Sequence, residues 1–205
     1  MKLLKTAVIG ASLALGSIAA PVLAADVTAP SGAYKVDPTH ASVTWKISHL
    51  GLSVYNARFT KFDIDLNLDV DDVSKSSVKA VIDVTSVETD YPGETDFNGE
   101  IANDPKFLNS SAFPKIEFVS KSVEKTGEKT AKIHGTVTML GVSKDMTLDA
   151  TLIGATASHP FSKAPAVGFN ATGTLKRSEF GFTHLVPYIG DEVTFNIDAE
   201  FQKAK

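Results

Sequence analysis

The 205-residue chain contains no cysteine. Disulfides, cysteine-ligated zinc and iron–sulfur clusters are therefore excluded, and so is a lipid attached to an N-terminal cysteine. Basic charge is also scarce: 20 Lys and Arg stand against 24 Asp and Glu, for a net charge of −4. No surplus is left to neutralise phosphates, so a nucleic-acid partner is not expected. The five histidines, His40, His49, His134, His159 and His184, form no HExxH or HxH motif and no histidine–carboxylate pair at helical spacing. The acidic run FDIDLNLDVDD (62–72) lacks the central glycine and terminal glutamate of an EF-hand loop. Its acids alternate with Ile64, Leu66 and Leu68, as on the solvated face of a strand. We expect no metal. Nucleotide-binding glycine motifs are absent, and no G-x-S-x-G elbow follows residue 25. A Ser–His–Asp site assembled by geometry alone stays open.

Long apolar runs are missing as well, apart from residues 7–20. Lys2 and Lys5 precede that run, and Val22 and Ala24 are small residues at the −3 and −1 positions of a cut before Ala25. Gly10, Ser12, Gly16, Ser17 and Pro21 interrupt it. A bilayer-spanning helix needs roughly 20 predominantly apolar residues. Residues 1–25 thus read as a secretory signal peptide, cut after Ala24 or Ala25; the leader alone leaves periplasm or exterior open, and the periplasm is the expected compartment. Losing Lys2 and Lys5 takes the net charge to −6. Residues 26–33 read as a polar linker and residues 34–203 as one domain. About 180 residues suffice for one domain with a real core.

In that domain apolar residues recur at every second position, the period of a half-buried strand. Eight sets follow one another: Val43–Ile47, Ile64–Val70, Val78–Val84, Ile116–Phe118, Ile133–Met139, Met146–Leu152, Val167–Leu175 and Val193–Phe201. Gly127, Gly141, Pro160 and Pro165 punctuate several of the gaps. Short connections favour antiparallel neighbours, and eight half-apolar strands bury their faces as a sandwich or a closed barrel. Between the third and fourth sets, Phe97, Ile101 and Leu108 recur at helical spacing. One or two short helices are expected over residues 95–108, with Pro105 starting a second turn.

The apolar faces mix small and large residues. Ala80, Gly135, Ala150, Ala171, Gly173 and Ala199 are small, whereas Trp45, Phe118, Phe169, Phe195 and Phe201 are large. An eight-stranded barrel either fills with side chains or holds one small ligand. Small inward residues favour an apolar cavity, but they also fit the taper of a packed barrel. The pattern alone leaves both open.

Four blocks then resemble one known family. They are YKVDPTHASVTWKISHLGLS (34–53), FPKIEFVSKSV (113–123), GTVTMLGVSKDMTLDATL (135–152), and LKRSEFGF (175–182) with IGDEVTFNIDAEF (189–201). In order and content they are similar to the YceI-like proteins, exported polyisoprenoid-binding proteins with a lipocalin-like barrel. The run from Asn56 to Phe62 lacks a glycine common in that family, and the helical insert lacks an H-L pair. The resemblance implies an all-β, eight-stranded antiparallel barrel around an apolar tunnel. It implies binding, carriage or storage of a polyprenyl chain, an isoprenoid quinone or a similar amphiphile. No resident cofactor other than such a lipid is expected. Transient contact with a membrane or a membrane redox protein would fit that role.

The residues expected to touch the ligand are Trp45, Ile47, His49, Ile64, Leu66, Ala80, Ile82, Phe118, Val137, Leu148, Phe169, Ala171, Phe195 and Ile197. Phe180, Phe182 and His184 are expected to guard the mouth, with Arg177 holding their loop through an ion pair. No catalytic residue is expected. The alternative is a secreted enzyme acting on a hydrophobic substrate, with His49 or His184 as acid or base. A packed barrel used for protein contacts is a third reading. In DPTHASVTWKISHLG (37–51), strand parity puts Val43, Trp45, Ile47 and His49 on one face and His40 on the other. The two histidines, up to roughly 30 Å apart along an extended strand, cannot share a metal. His40 reads as a strand-entry residue making local hydrogen bonds.

Overall fold

The computed structural model describes residues 29–204, and the proposed signal peptide falls outside them. Ten strands, one α-helix and three short 3-10 turns occur among the described residues. The strands are β1 (Gly32–His49), β2 (Ser53–Phe59), β3 (Phe62–Leu68), β4 (Ser77–Asp83), β5 (Val87–Thr89), β6 (Lys115–Lys125), β7 (Thr130–Met139), β8 (Val142–Thr156), β9 (Ala166–Lys176) and β10 (Ile189–Lys203). The helix is α1 (Phe97–Asn103).

Eight of the strands close a ring in the order β1-β3-β4-β6-β7-β8-β9-β10, and β10 returns to pair with β1. Each of these pairings is antiparallel. The ring strands correspond to the eight alternating sets of the sequence. β2 and β5 are additional: β2 pairs with β1, and β5 pairs with β2. The helical insert holds one helix, whose N-terminus is capped by the Asp96 carboxylate accepting from the Gly99 N–H at 2.8 Å. Residues past Asp104 turn back onto it, with the Leu108 and Ser110 N–H groups donating to the Ile101 and Ala102 carbonyls.

β1 is longer than its apolar pattern suggested, because its pairing passes through an irregularity between Val36 and Ala41. Pro38 lies there. Proline has no N–H to give a ladder, so strands accept it at bulges and edges. The Asp37 carboxylate organises the interruption. It accepts from the Thr39 hydroxyl at 2.6 Å and the Thr39 N–H at 3.0 Å. It also lies 3.1 Å from His40 Nδ1 and accepts from Gln202 at 3.2 Å. His40 therefore makes the local bonds expected of it. The Thr39 and His40 partners hold the Asp37 carboxyl down to about 2, and the same carboxylate raises the His40 imidazole. The acidic run is a strand face and its following turn: Lys35 pairs with Asp63 and Asp65, and Asp69 accepts from the N–H groups of Asp71 and Asp72.

One apolar core fills the end of the barrel where Tyr34, Leu68, Val167 and Phe201 are buried. Leu66 and Phe169 pack against it. The register stacks them: Tyr34 faces Leu66, Val36 faces Phe201, and Phe169 faces Ala199 and Leu152.

Candidate functional site

The other end encloses a cavity of about 620 Å³, a size typical of small-ligand pockets. From the ring it takes Trp45 and Ile47 of β1, Ala80 and Ile82 of β4, Phe118 of β6, Val137 of β7, Leu148 of β8, and Phe195 and Ile197 of β10. His49, Phe182 and His184 also reach the lining. These twelve positions are expected site residues that the fold brings together.

Five expected site residues lie elsewhere. Ile64 is buried in the core, and Leu66 packs against that core from the neighbouring register position. Phe169 lies edge-on to Phe201, with ring centroids 6.3 Å apart. Ala171 sits between Ala150 and Ile197 on adjacent strands, outside the lining. Phe180 is 3% exposed, buried beside the Arg177 turn and outside the lining. Strand parity gives the correct face for the first four, but not the level along the barrel at which filling stops.

The reason for the cavity also differs from the expected one. Of the six small inward residues, only Ala80 lines it. A methyl group added at Gly173 would come within 2.5 Å of the Phe195 ring and 2.8 Å of Leu148. One added at Gly135 would collide with the Phe118 ring and the Val119 carbonyl. These glycines are small because an aromatic ring already lies over each, so they do not open space.

The space arises from a change of partner along β1. Its first residues, Gly32–Lys35, pair with β3, whereas Val43–His49 pair with β2. Beyond the Pro38 irregularity the wall therefore widens by the added unit of β2, β5 and α1. Tyr55 and Phe59 of β2, Phe97 and Ile101 of α1, and Tyr91, Phe107 and Leu108 from the segments flanking α1 also line the cavity. None of these seven was expected. The alternation of Tyr55, Ala57 and Phe59 was the available signal.

The mouth loop after β9 is pinned by Arg177, which is 2% exposed. Its Nε donates to the Gly190 carbonyl at 2.8 Å, and Nη2 donates to Ile189 at 2.8 Å. Nη1 donates to the carbonyls of His184 at 2.7 Å and Phe182 at 3.4 Å. The Phe182 ring covers the guanidinium at 4.7 Å. Arg177 thus holds the loop as expected, but through carbonyls and a ring rather than an ion pair. Burial pushes its guanidinium down from the ordinary value, and the nearby Asp191 carboxylate opposes this. Asp191 itself binds Ser178 through both the N–H and the hydroxyl, which lowers its carboxyl. Across the mouth, Phe107 meets Phe182 at 5.9 Å and His184 at 5.2 Å, joining the helical segment to the loop.

Acid–base chemistry here would need a second polar group within reach of an imidazole. Among the described residues, the hydrogen bonds include no side-chain partner for His49 or His184, and the His184 ring packs edge-on to Phe107. Glu100 also lines the cavity but pairs with neither.

Relatives with this architecture are known. Residues 34–201 match the family model described as the YceI-like domain. A UPF0312 protein of Pseudomonas putida strain GB-1 is 37% identical over 173 residues, covering 83% of this chain and 85% of the relative. Protein YceI of Salmonella arizonae is 34% identical over 188 residues, covering 91% of this chain and 95% of the relative. Among solved structures, BcnA of Burkholderia cenocepacia superposes with a TM-score of 0.69 at 20% identity, covering 80% of this chain and 98% of that one. A polyisoprenoid-binding domain of Saccharophagus degradans superposes with a TM-score of 0.63 at 13% identity, over 83% and 98%. The closed barrel, the four sequence blocks and a match across nearly the whole described domain agree, and the chain belongs to the YceI-like family.

Proposed function

We propose that this protein binds an isoprenoid lipid, a polyprenyl chain or an isoprenoid quinone, and carries or stores it in the periplasm. The observation that carries the reading is the cavity: about 620 Å³, walled by aliphatic and aromatic side chains and closed at its far end by a packed core. Each buried CH₂ contributes about 0.8 kcal/mol, so a long tail binds tightly with little polar recognition. The polyisoprenoid-binding description of the Saccharophagus degradans domain supports the ligand class. The export-type leader in residues 1–25 supports the compartment. Leu50, Leu52, Leu185 and Tyr188 are exposed beside the mouth, which supports transient contact with a lipid surface during loading.

Mass spectrometry of lipid extracted from protein purified out of the periplasmic fraction tests the reading. The expected result is a stoichiometric isoprenoid species. Protein that yields no lipid and takes up no prenyl quinone after delipidation would count against it. An Ala80→Phe substitution, at the one alanine of the lining, should weaken uptake about tenfold. Displacing two CH₂ groups is enough for that.

A further inference from the structure

Two loops frame one bank of the mouth, and both are free of formal charge. Residues 49–57, across the β1–β2 turn, and residues 180–190, after β9, contain no Asp, Glu, Lys or Arg, although 21% of the chain is charged. What they present to solvent is apolar. Leu52 is 85% exposed and Tyr188 69%, with Leu50 and Leu185 exposed beside them. Leu50 and Leu185 both hold a left-handed backbone, with φ of 56° and 61°. Bulky residues seldom adopt that conformation, and such strain collects where a surface has a task. The Leu50 N–H donates to the Tyr188 carbonyl at 2.8 Å, so the two loops form one unit. Leu185 also lines the cavity, which makes the unit continuous with it.

The backbone of this unit closes on itself. Arg177 takes the carbonyls of Phe182, His184, Ile189 and Gly190. Those of Thr183 and Leu185 accept from the N–H groups of Val186 and Ile189, and that of His49 accepts from Leu52. Pro187 has no N–H to satisfy. A loop in water needs no such closure, because water serves its exposed polar groups. A loop entering hydrocarbon does need it, because nothing there replaces a missing partner. Tyrosine, apolar in its body and polar at its tip, suits the boundary between the two media.

The opposite bank has another character. From Asp90 to Asp104 the chain carries Asp90, Glu94, Asp96, Glu100 and Asp104, and no Lys or Arg. Tyr91, Phe97 and Phe107 of the same bank reach the cavity, so these acids stand at the same mouth. Like charges repel, and this bank therefore opposes approach to anionic head groups.

We propose that the 49–57 and 180–190 loops are a preformed wedge that enters a lipid surface, and that the acidic bank restricts the wedge to zwitterionic rather than anionic lipid. The proposal rests on the lipid-carrier reading above for its purpose, and it names the partner of that carrier. A ligand then passes between bilayer and cavity without crossing water.

The test is co-sedimentation of the protein with phosphatidylcholine vesicles, and with vesicles in which phosphatidylglycerol replaces part of that lipid. It is run at about pH 8, where an ordinary imidazole is neutral. The protein should bind the phosphatidylcholine vesicles with little dependence on salt. Phosphatidylglycerol should weaken binding at low salt, and added salt should restore it by screening the repulsion. Asp90→Asn with Glu94→Gln should reduce that penalty. Leu52→Asn with Tyr188→Ser should weaken binding to phosphatidylcholine about tenfold or more. Neither residue lines the cavity, so this pair should still take up a prenyl quinone from detergent micelles as the unsubstituted protein does. Equal vesicle binding with and without the Leu52 and Tyr188 substitutions overturns the wedge, and tighter binding to phosphatidylglycerol overturns the restriction. Protein that takes up the quinone from micelles and ignores every vesicle also overturns the wedge, and leaves the lipid carrier standing. Protein that neither takes up the quinone nor binds vesicles removes both.

Discussion

The two ends of the barrel are made from the same ring strands and held together differently. At the filled end, Tyr34, Leu68, Val167 and Phe201 are buried against one another. At the hollow end, aromatic and aliphatic side chains of similar kind face a cavity, and the closing loop is fastened by one buried guanidinium. Burial of apolar surface stabilises the first end. The second keeps its apolar surface available and relies on directional bonds at its rim. A barrel packed throughout would be more stable and could hold nothing, whereas a barrel open throughout would lack a core.

Substitutions that separate these two roles sharpen the contrast. The largest expected effect is at the filled end. Phe201→Ala should cost about 3–5 kcal/mol, the range for removing a buried ring. Phe97→Ala, on the cavity wall, should cost about 1–2 kcal/mol because part of its contact area already faces open space. Denaturant midpoints for the pair measure the difference, and equal losses would erase the distinction.

Arg177→Met comes next, at about 2–4 kcal/mol, since it strands several buried carbonyls. It should also speed release of a bound lipid, measured by exchange into vesicles, because the loop over the mouth loses its pin. Gly173→Ala should cost about 1–3 kcal/mol by forcing the Phe195 ring aside. Thermal unfolding reads this, and a Phe195→Leu partner substitution should recover part of the loss.

The smallest effect lies in the β1 irregularity. Asp37 titrates at about 2 in the folded protein, below the ordinary carboxylate value. A depressed pKa contributes stability that is present above the unfolded value of about 4 and is lost as pH falls through about 2. Asp37→Asn should therefore flatten the acid side of the stability profile in that window. His40 has the opposite sign: its raised pKa contributes below its unfolded value and fades as pH rises through the folded one. The two should be separable by following unfolding from acid to neutral pH.

Much of the fold could be read from the period of two, because each ring strand has one buried face and repeats it several times. β5 could not, since three residues are too short to show a period. β2 does alternate, through Tyr55, Ala57 and Phe59. Its outward Val54 is 58% exposed, however, and blurs the pattern. That omission hid the part of the cavity wall that Tyr55 and Phe59 supply. The face of each lining residue followed from parity, but its depth did not: Phe169 and Phe195 share a face type, and only three-dimensional stacking distinguishes packing on Phe201 from lining the cavity. The glycines misled for a related reason. A small residue in a sequence is silent about whether a neighbour's ring already fills its place.

β1 joins the two ends, and it also joins the two ends of the domain. Its partner across the closing seam is β10, so Thr44 donates to the Asn196 carbonyl from 152 residues away along the chain. Contacts of such long range form late and slowly. During synthesis, β3 to β9 can find their neighbours in succession, but the ring stays an open sheet until β10 has been made. Only then do the cavity and the core acquire their last wall. The seam therefore sets the order of events in folding: a curved sheet first, a container afterwards, with ligand uptake impossible before the final strand is in place.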